Sequence, residues 1–415
     1  MADRQNRQPM KHPLPQPFRH LAWANLAAQS AEQLSLAASP IVAVLMLHAG
    51  PGEVGLLATA QTLPFLLFSI PAGLLADRHS RRGLMLGAEL LRCLSLLALL
   101  GLVWLDHMSL ALLTALGFIG ALGTVGFSVA APALVPSLVG ALDLPRANGR
   151  LELARSIAYA GGPAIAGALV SWAGASTAFA VATTLSALGL AWLWRLHEAP
   201  RPAGPRRHPL RDLQEGARQV WHHALLRPIF NTAVVWNIAW FVLQASYVPY
   251  AVRVLGLSAA TVGLTLGAFG AGMVVGALLA GRVFSALPLG RMVQFGPWAS
   301  LLAAGLIAAS LVWPSAAVVT CGFFIFGVGA ILWTISSTTL RQTVTPGPML
   351  GRVSAIFLTC NAGARPLGAA LGGLVGARWG ESSALLLALA GFACQAVLIL
   401  RPGLSRLKNL PPQVS

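Results

Sequence analysis

Apolar runs of about 20 residues, each long enough to cross the ~30 Å hydrocarbon core of a bilayer, recur along almost the whole chain. They fall at 20–47, 53–75, 83–105, 109–136, 149–171 and 174–196, then at 228–252, 258–283, 291–312, 315–341, 352–375 and 381–401. Few folds accommodate that pattern. Backbone N–H and C=O groups in lipid find no water to bond, so each run is expected as a helix. The alternating strands of a membrane barrel are absent. Composition agrees, with 56% hydrophobic and 10% charged residues against about 25% charged in soluble chains. The expected class is an all-α membrane protein of twelve transmembrane helices in two six-helix halves.

The net charge of +16 is informative through its placement. Basic residues cluster in alternate loops, at Arg78, Arg81 and Arg82, at Arg146 and Arg150, from Arg201 to Arg218, at Arg282 and Arg291, and at Arg341 and Arg352. The intervening loops hold almost none, Arg253 and Arg378 being the exceptions. By the positive-inside rule both termini and the long central loop are expected in the cytoplasm. No basic helix or aromatic-interleaved patch stands outside these loops, so nucleic acid is not an expected partner. Residues 1–19 are polar and precede an apolar run too long for a signal peptide, so a cytoplasmic tail is expected there.

Cys93, Cys321, Cys360 and Cys394 stand singly within apolar runs, and the nine histidines form no ligand pair on one helical face. Neither metal nor disulfide is expected from such spacing. No nucleophile–base pair or phosphate loop is present, so an enzyme is not expected and no cofactor is implied.

The expected organisation is a tail at 1–19, six helices within 20–196, a central loop at 197–227, six helices within 228–401 and a tail at 402–415. Within the central loop, residues 210–223 place apolar residues at helical spacing, as in a helix lying on a membrane surface. The flanking halves resemble each other at an offset of about 203 residues. Gly149-Arg150 matches Gly351-Arg352, Gly162-Pro163 matches Arg365-Pro366, and Leu75-Ala76-Asp77-Arg78 matches Leu279-Ala280-Gly281-Arg282. Parallel repeats of this kind occur in several transporter folds.

Between the second and third runs stands Gly73-Leu-Leu-Ala-Asp77-Arg78-His-Ser-Arg81-Arg82-Gly83. This resembles the signature loop of the major facilitator superfamily. The resemblance implies that Asp77 faces the positive N-terminal end of span 11 and helps hold a cytoplasmic gate shut. In the second copy Gly281 replaces the acid. Gly161-Gly162-Pro163-Ala-Ile-Ala-Gly167 is similar to the superfamily's antiporter motif, with Ala166 at one glycine position. Pro132-Ala-Leu-Val-Pro136, Arg146-Ala-Asn148, Asp212-Leu-Gln-Glu-Gly216, Gly351-Arg-Val353 and Pro366-Leu-Gly368 look like the enterobactin-exporter-type branch. The resemblance implies a secondary active transporter that exports a small amphipathic solute, a siderophore or drug-like metabolite, by proton antiport. The implied partners are a small-molecule substrate, protons and the lipid bilayer, with the chain a monomer in a bacterial inner membrane. Rival readings are a lipid or lysophospholipid translocator or a solute importer on the same fold, and a membrane sensor or scaffold that moves nothing.

Ionisable residues within spans cost about 2.5–3.5 kcal/mol on insertion and are functional candidates by default. Glu32 lies about 18 Å into the first span; its carboxyl is expected as a proton carrier, the other reading being a structural partner of a buried arginine. Asn25, Gln29, Glu32 and Gln33 share one helical face, expected to line a central cavity. Arg92 is similarly deep, with Glu89 one turn earlier; pairing between them and substrate contact are both open. Glu152 and Arg155 fit a gate network nearer the cytoplasm. Arg365 either takes an anionic group of the substrate or pairs with Glu32. Asn237, Trp240 and Gln244, at helical spacing, are expected either as a further cavity wall or as interhelical hydrogen-bonding groups beside lipid-facing tryptophans.

Overall fold

The computed structural model describes residues 14–140, 143–198, 209–286, 288–346 and 349–400. Twelve α-helices run α1 (Gln16–Leu45), α2 (Pro51–Arg78), α3 (Arg81–Trp104), α4 (Leu110–Leu138), α5 (Leu144–Trp194) and α6 (Pro209–His222). They continue as α7 (Leu226–Arg253), α8 (Ala259–Ala286), α9 (Leu289–Ala309), α10 (Ala316–Val344), α11 (Leu350–Trp379) and α12 (Glu381–Leu398). The chain is all-helical among the described residues. Of the expected tails, residues 1–13 and 402–415 lie outside them, as does the central-loop stretch 199–208.

Local chemistry sets the helix starts. Ser80, Ser109 and Ser315 each precede a helix and accept the N–H of Gly83 (2.9 Å), Leu112 (3.3 Å) and Val318 (3.5 Å). Such caps satisfy donors that the helix itself leaves orphaned. Glu53 in the first turn of α2 accepts the Gly50 N–H at 2.6 Å.

The expected spans at 149–171 and 174–196 appear as one 51-residue element, α5. Straight, it would measure about 77 Å, far more than a bilayer is thick. Gly174, at φ 81°, breaks it where the two spans were expected to meet. A side chain is strained at that φ, so glycine marks the turn. Gly380, at φ 85°, makes the equivalent break between α11 and α12.

Nine of these helices, counted among the described residues, are long and apolar enough to cross a membrane. Leu94 of α3, Leu278 of α8 and Trp172 of α5 are exposed, as a lipid-facing wall requires. The long helices α1 and α11 are not among the nine, and they carry Glu32 and Arg365 in their interiors.

Helices α1–α5 pack mainly on one another, as do α7–α12. Two large seams join the sets, α2 against α11 and α5 against α8. Each is built on small residues. A Cβ on Gly55 would lie 2.3 Å from the Gly373 Cα, and one on Gly167 would lie 2.3 Å from the Ala259 carbonyl oxygen. Only glycine permits backbones this close, the usual device of helix association in lipid. Between the seams lies a cavity.

Candidate functional site

The cavity has a volume of about 230 Å³ and is walled by α1–α5, α7, α8, α10 and α11. Its walls are mainly apolar, and a few polar groups converge on it. Glu32 and Gln33 reach it from α1, Arg92 from α3, Gln244 from α7 and Arg365 from α11. Trp240 closes one side.

Arg92 organises the charges. It forms an ion pair with Glu89 one turn earlier on α3, and its Nη1 stands 4.0 Å from Glu32 Oε2. Glu89 is fully buried and accepts a second bond, from Ser186 Oγ of α5, at 2.6 Å. Arg92 Nη1 also donates to Thr124 Oγ1 of α4 at 3.5 Å. Glu89 thus fixes Arg92 from behind, while Glu32 keeps a carboxylate on the cavity. Among the described residues Glu32 makes no hydrogen bond, and the 4.0 Å approach to Arg92 is its ion-pair contact. Of the two readings open for Arg92 and Glu89, the structure shows the pair.

Arg365 pairs with neither acid. Its guanidinium lies over the rings of Phe65 on α2 (5.2 Å) and Phe241 on α7 (5.8 Å). It makes no hydrogen bond or ion pair among the described residues, and its Nε is buried without a partner. Trp240 anchors an aromatic shelf nearby. It stacks on Trp236 at 5.4 Å and 9° and meets Phe269 at 4.6 Å. Trp236 Nε1 in turn donates to Ser300 Oγ at 3.0 Å.

Other expected residues lie elsewhere. Asn25 and Gln29 do not line the cavity; the buried Asn25 amide donates to the Leu151 carbonyl at 3.3 Å, so α5 covers that end of the α1 face. Asn237 also stays out of the lining, donating to Ala233 O on its own helix at 2.9 Å. Glu152 and Arg155 form an exposed intrahelical pair at 3.1 Å, apart from the buried Glu89–Arg92 pair. Gly162 packs against Gln33 of α1, Pro163 lines the cavity, and Gly167 serves the α5–α8 seam.

In the signature loop, the side chains of Asp77 and Arg78 lie outside the described residues. Gly73 has open space about it and Gly83 follows the Ser80 cap. The remaining residues of the loop bind the end of α5. Glu198 accepts Ser80 Oγ (2.6 Å) and the N–H groups of Arg81 (3.2 Å) and Arg82 (2.9 Å), a carboxylate placed at the positive end of α3. Arg82 returns the contact by donating to the carbonyls of Leu193 (3.2 Å) and Trp194 (2.9 Å). Arg81 donates to the Ala133 carbonyl of α4.

Sequence reasoning missed Gln61, Phe65, Tyr159 and Phe241, all of which line the cavity. Gln61 carried a signal, a lone amide in an apolar run with Phe65 one turn on. Helices that are apolar all round show no moment separating lumen from lipid, so the aromatic residues gave none.

Apolar helices enclosing a charged interior cavity define a membrane-embedded transporter of small molecules rather than an enzyme. The chain belongs to the Major Facilitator Superfamily, whose family profile matches residues 21–369. The enterobactin exporter EntS of Shigella boydii is 28% identical over 91% of this chain and 90% of its own, as is EntS of Escherichia coli O139:H28. A solved structure of a bacterial homologue of the iron transporter ferroportin, in an inward-facing state, superposes with TM-score 0.73 at 17% identity. It covers 94% of this chain and 98% of that one.

Proposed function

We propose that the chain exports a small amphipathic solute across a bacterial inner membrane by proton antiport and alternating access. The observation that carries this reading is Glu32, a cavity carboxylate with no hydrogen bond, set 4.0 Å from an arginine that Glu89 already holds. A carboxyl so placed exchanges a proton without dismantling the fold around it. Solute and proton then compete for one site, which is the requirement for exchange.

Two six-helix sets rocking about the cavity account for the packing. If the positive-inside rule sets the orientation, the seams at Gly55–Gly373 and Gly167–Gly263 lie toward the outer face. So does Arg253, which donates to the carbonyls of His48 (3.2 Å) and Ala49 (2.5 Å) and pairs with Glu381 at 3.6 Å. These contacts close the end assigned to the outer face, as alternating access requires of the state that loads from the cytoplasm. The relatives' name supports a siderophore as the solute class.

The test is a comparison of exported metabolites between a deletion strain and its parent, with and without iron, by untargeted mass spectrometry. A metal-chelating metabolite lost from the medium and retained in cells is the expected result. An unchanged profile, with unchanged susceptibility to toxic amphiphiles, contradicts export.

A further inference from the structure

We infer that the cavity selects a zwitterionic aromatic amphiphile, with its anionic group on Arg365, its cationic or donor group on Glu32 and its ring against Trp240. The inference rests on the cavity being the solute site, and adds the charge pattern of the solute.

Both acids near the cavity lean on one arginine. Glu89 is paired with Arg92, and Glu32 approaches the same guanidinium at 4.0 Å. Arg365 on α11 makes no ion pair or hydrogen bond among the described residues, and its Nε is buried without a partner. Phe65 and Phe241 contact its guanidinium through their rings. Cation–π contact orients a cation but leaves its in-plane N–H donors unused. Those donors match a carboxylate or phosphate in a two-pronged contact. Such a group desolvates an arginine at less cost than an empty apolar pocket would.

Glu32 supplies the opposite pole. Its side chain is 14% exposed, and the weak approach to Arg92 leaves its oxygens able to accept from a solute. A solute cation there competes with the proton, so the charge pattern also couples the two fluxes. A purely anionic solute would instead favour protonation of Glu32 and oppose exchange. The third element is apolar. Trp240, backed by Trp236 and Phe269, presents a rigid shelf in a cavity of about 230 Å³, which admits an aromatic ring.

The experiment uses three probes that share a ring system: naphthylalanine, a zwitterion; naphthylpropionate, which lacks the ammonium; and naphthylethylamine, which lacks the carboxylate. Binding to the purified full-length protein is measured by equilibrium dialysis at neutral pH, with empty micelles subtracted. The zwitterion is expected to bind about tenfold or more tightly than either relative. Arg365→Gln is expected to erase its advantage over the amine, and Glu32→Gln its advantage over the acid. Arg365→Lys is expected to recover part of the loss, a point charge replacing the fork.

Three similar affinities in the wild-type protein overturn the inference without reference to any variant. So does an advantage that both variants retain. Solute-selective binding without pH-driven movement of the zwitterion in vesicles would leave the inference standing and overturn antiport. Any variant is compared only after size-exclusion chromatography shows a single folded species.

Discussion

Glu215 of α6 is ion-paired with Arg352 of α11, joining two motifs that stand 137 residues apart in the chain. The adjoining Gly216 packs so closely that a Cβ there would lie 2.6 Å from the Arg352 carbonyl oxygen. The amphipathic helix is therefore docked on the first turn of α11, the helix that carries Arg365. A surface ion pair alone contributes little; the close glycine contact makes the junction specific.

Gly216→Val is expected to undock α6, because overpacking a close contact costs about 1–3 kcal/mol. Limited proteolysis of the purified protein should cut residues 209–222 several-fold faster than in the wild type. Unchanged cleavage would show that α6 is held by other means.

The Glu89–Arg92 pair is structural support for the cavity. Glu89→Ala removes one partner of a buried ion pair and orphans Ser186 Oγ as well. The expected loss is about 3–5 kcal/mol, seen as a large drop in the thermal unfolding midpoint in detergent. Glu32→Gln, which breaks no hydrogen bond, is expected to move the midpoint far less. Equal drops would contradict the separation of roles between the two acids.

Arg253 braces the end of the molecule assigned to the outer face. Charge-assisted bonds contribute about 1.5–3 kcal/mol each, so Arg253→Gln is expected to shift the closed–open balance about tenfold. In a background lacking the four native cysteines, a cysteine at Val54 should react correspondingly faster with a membrane-impermeant maleimide added outside. An unchanged rate would show that the glycine seams close that end unaided.

His223 caps α7, its Nδ1 accepting the N–H groups of Leu225 (3.2 Å) and Leu226 (3.3 Å). Partial burial holds the imidazole below its ordinary pKa of 6.5. The folded state therefore resists a proton that the unfolded chain accepts. The cap's contribution is fully present above about pH 6.5 and is lost as pH falls through the depressed native value. Thermal unfolding of wild type and His223→Ala should converge as the pH is lowered from 6.5 through the depressed native value. A constant difference across that range would contradict the cap.

The helices were legible because lipid leaves the backbone no alternative, and Glu32, Gln33, Arg92, Trp240, Gln244 and Arg365 share one cavity because charges and amides in apolar runs need somewhere wet. What a single helix does with its polar groups was less legible. Asn25 satisfies the backbone of α5, and Asn237 bonds back to its own turn; neither choice is encoded in spacing along α1 or α7. The acid on Arg92 was local and readable one turn away, whereas the freedom of Arg365 depends on how α2, α7 and α11 converge. Gly167 stands in a motif, but its partners Ala259 and Gly263 lie on a helix distant in sequence, and the Gly55–Gly373 contact carried no sequence signal.

The measurement that bears most directly on the account is pH-driven transport in proteoliposomes containing wild-type or Glu32→Gln protein. A proton gradient should drive solute accumulation in the wild type. The variant should still exchange labelled for unlabelled solute across the membrane but should not concentrate it. Gradient-driven accumulation at the wild-type rate in Glu32→Gln would place proton coupling elsewhere and contradict the account.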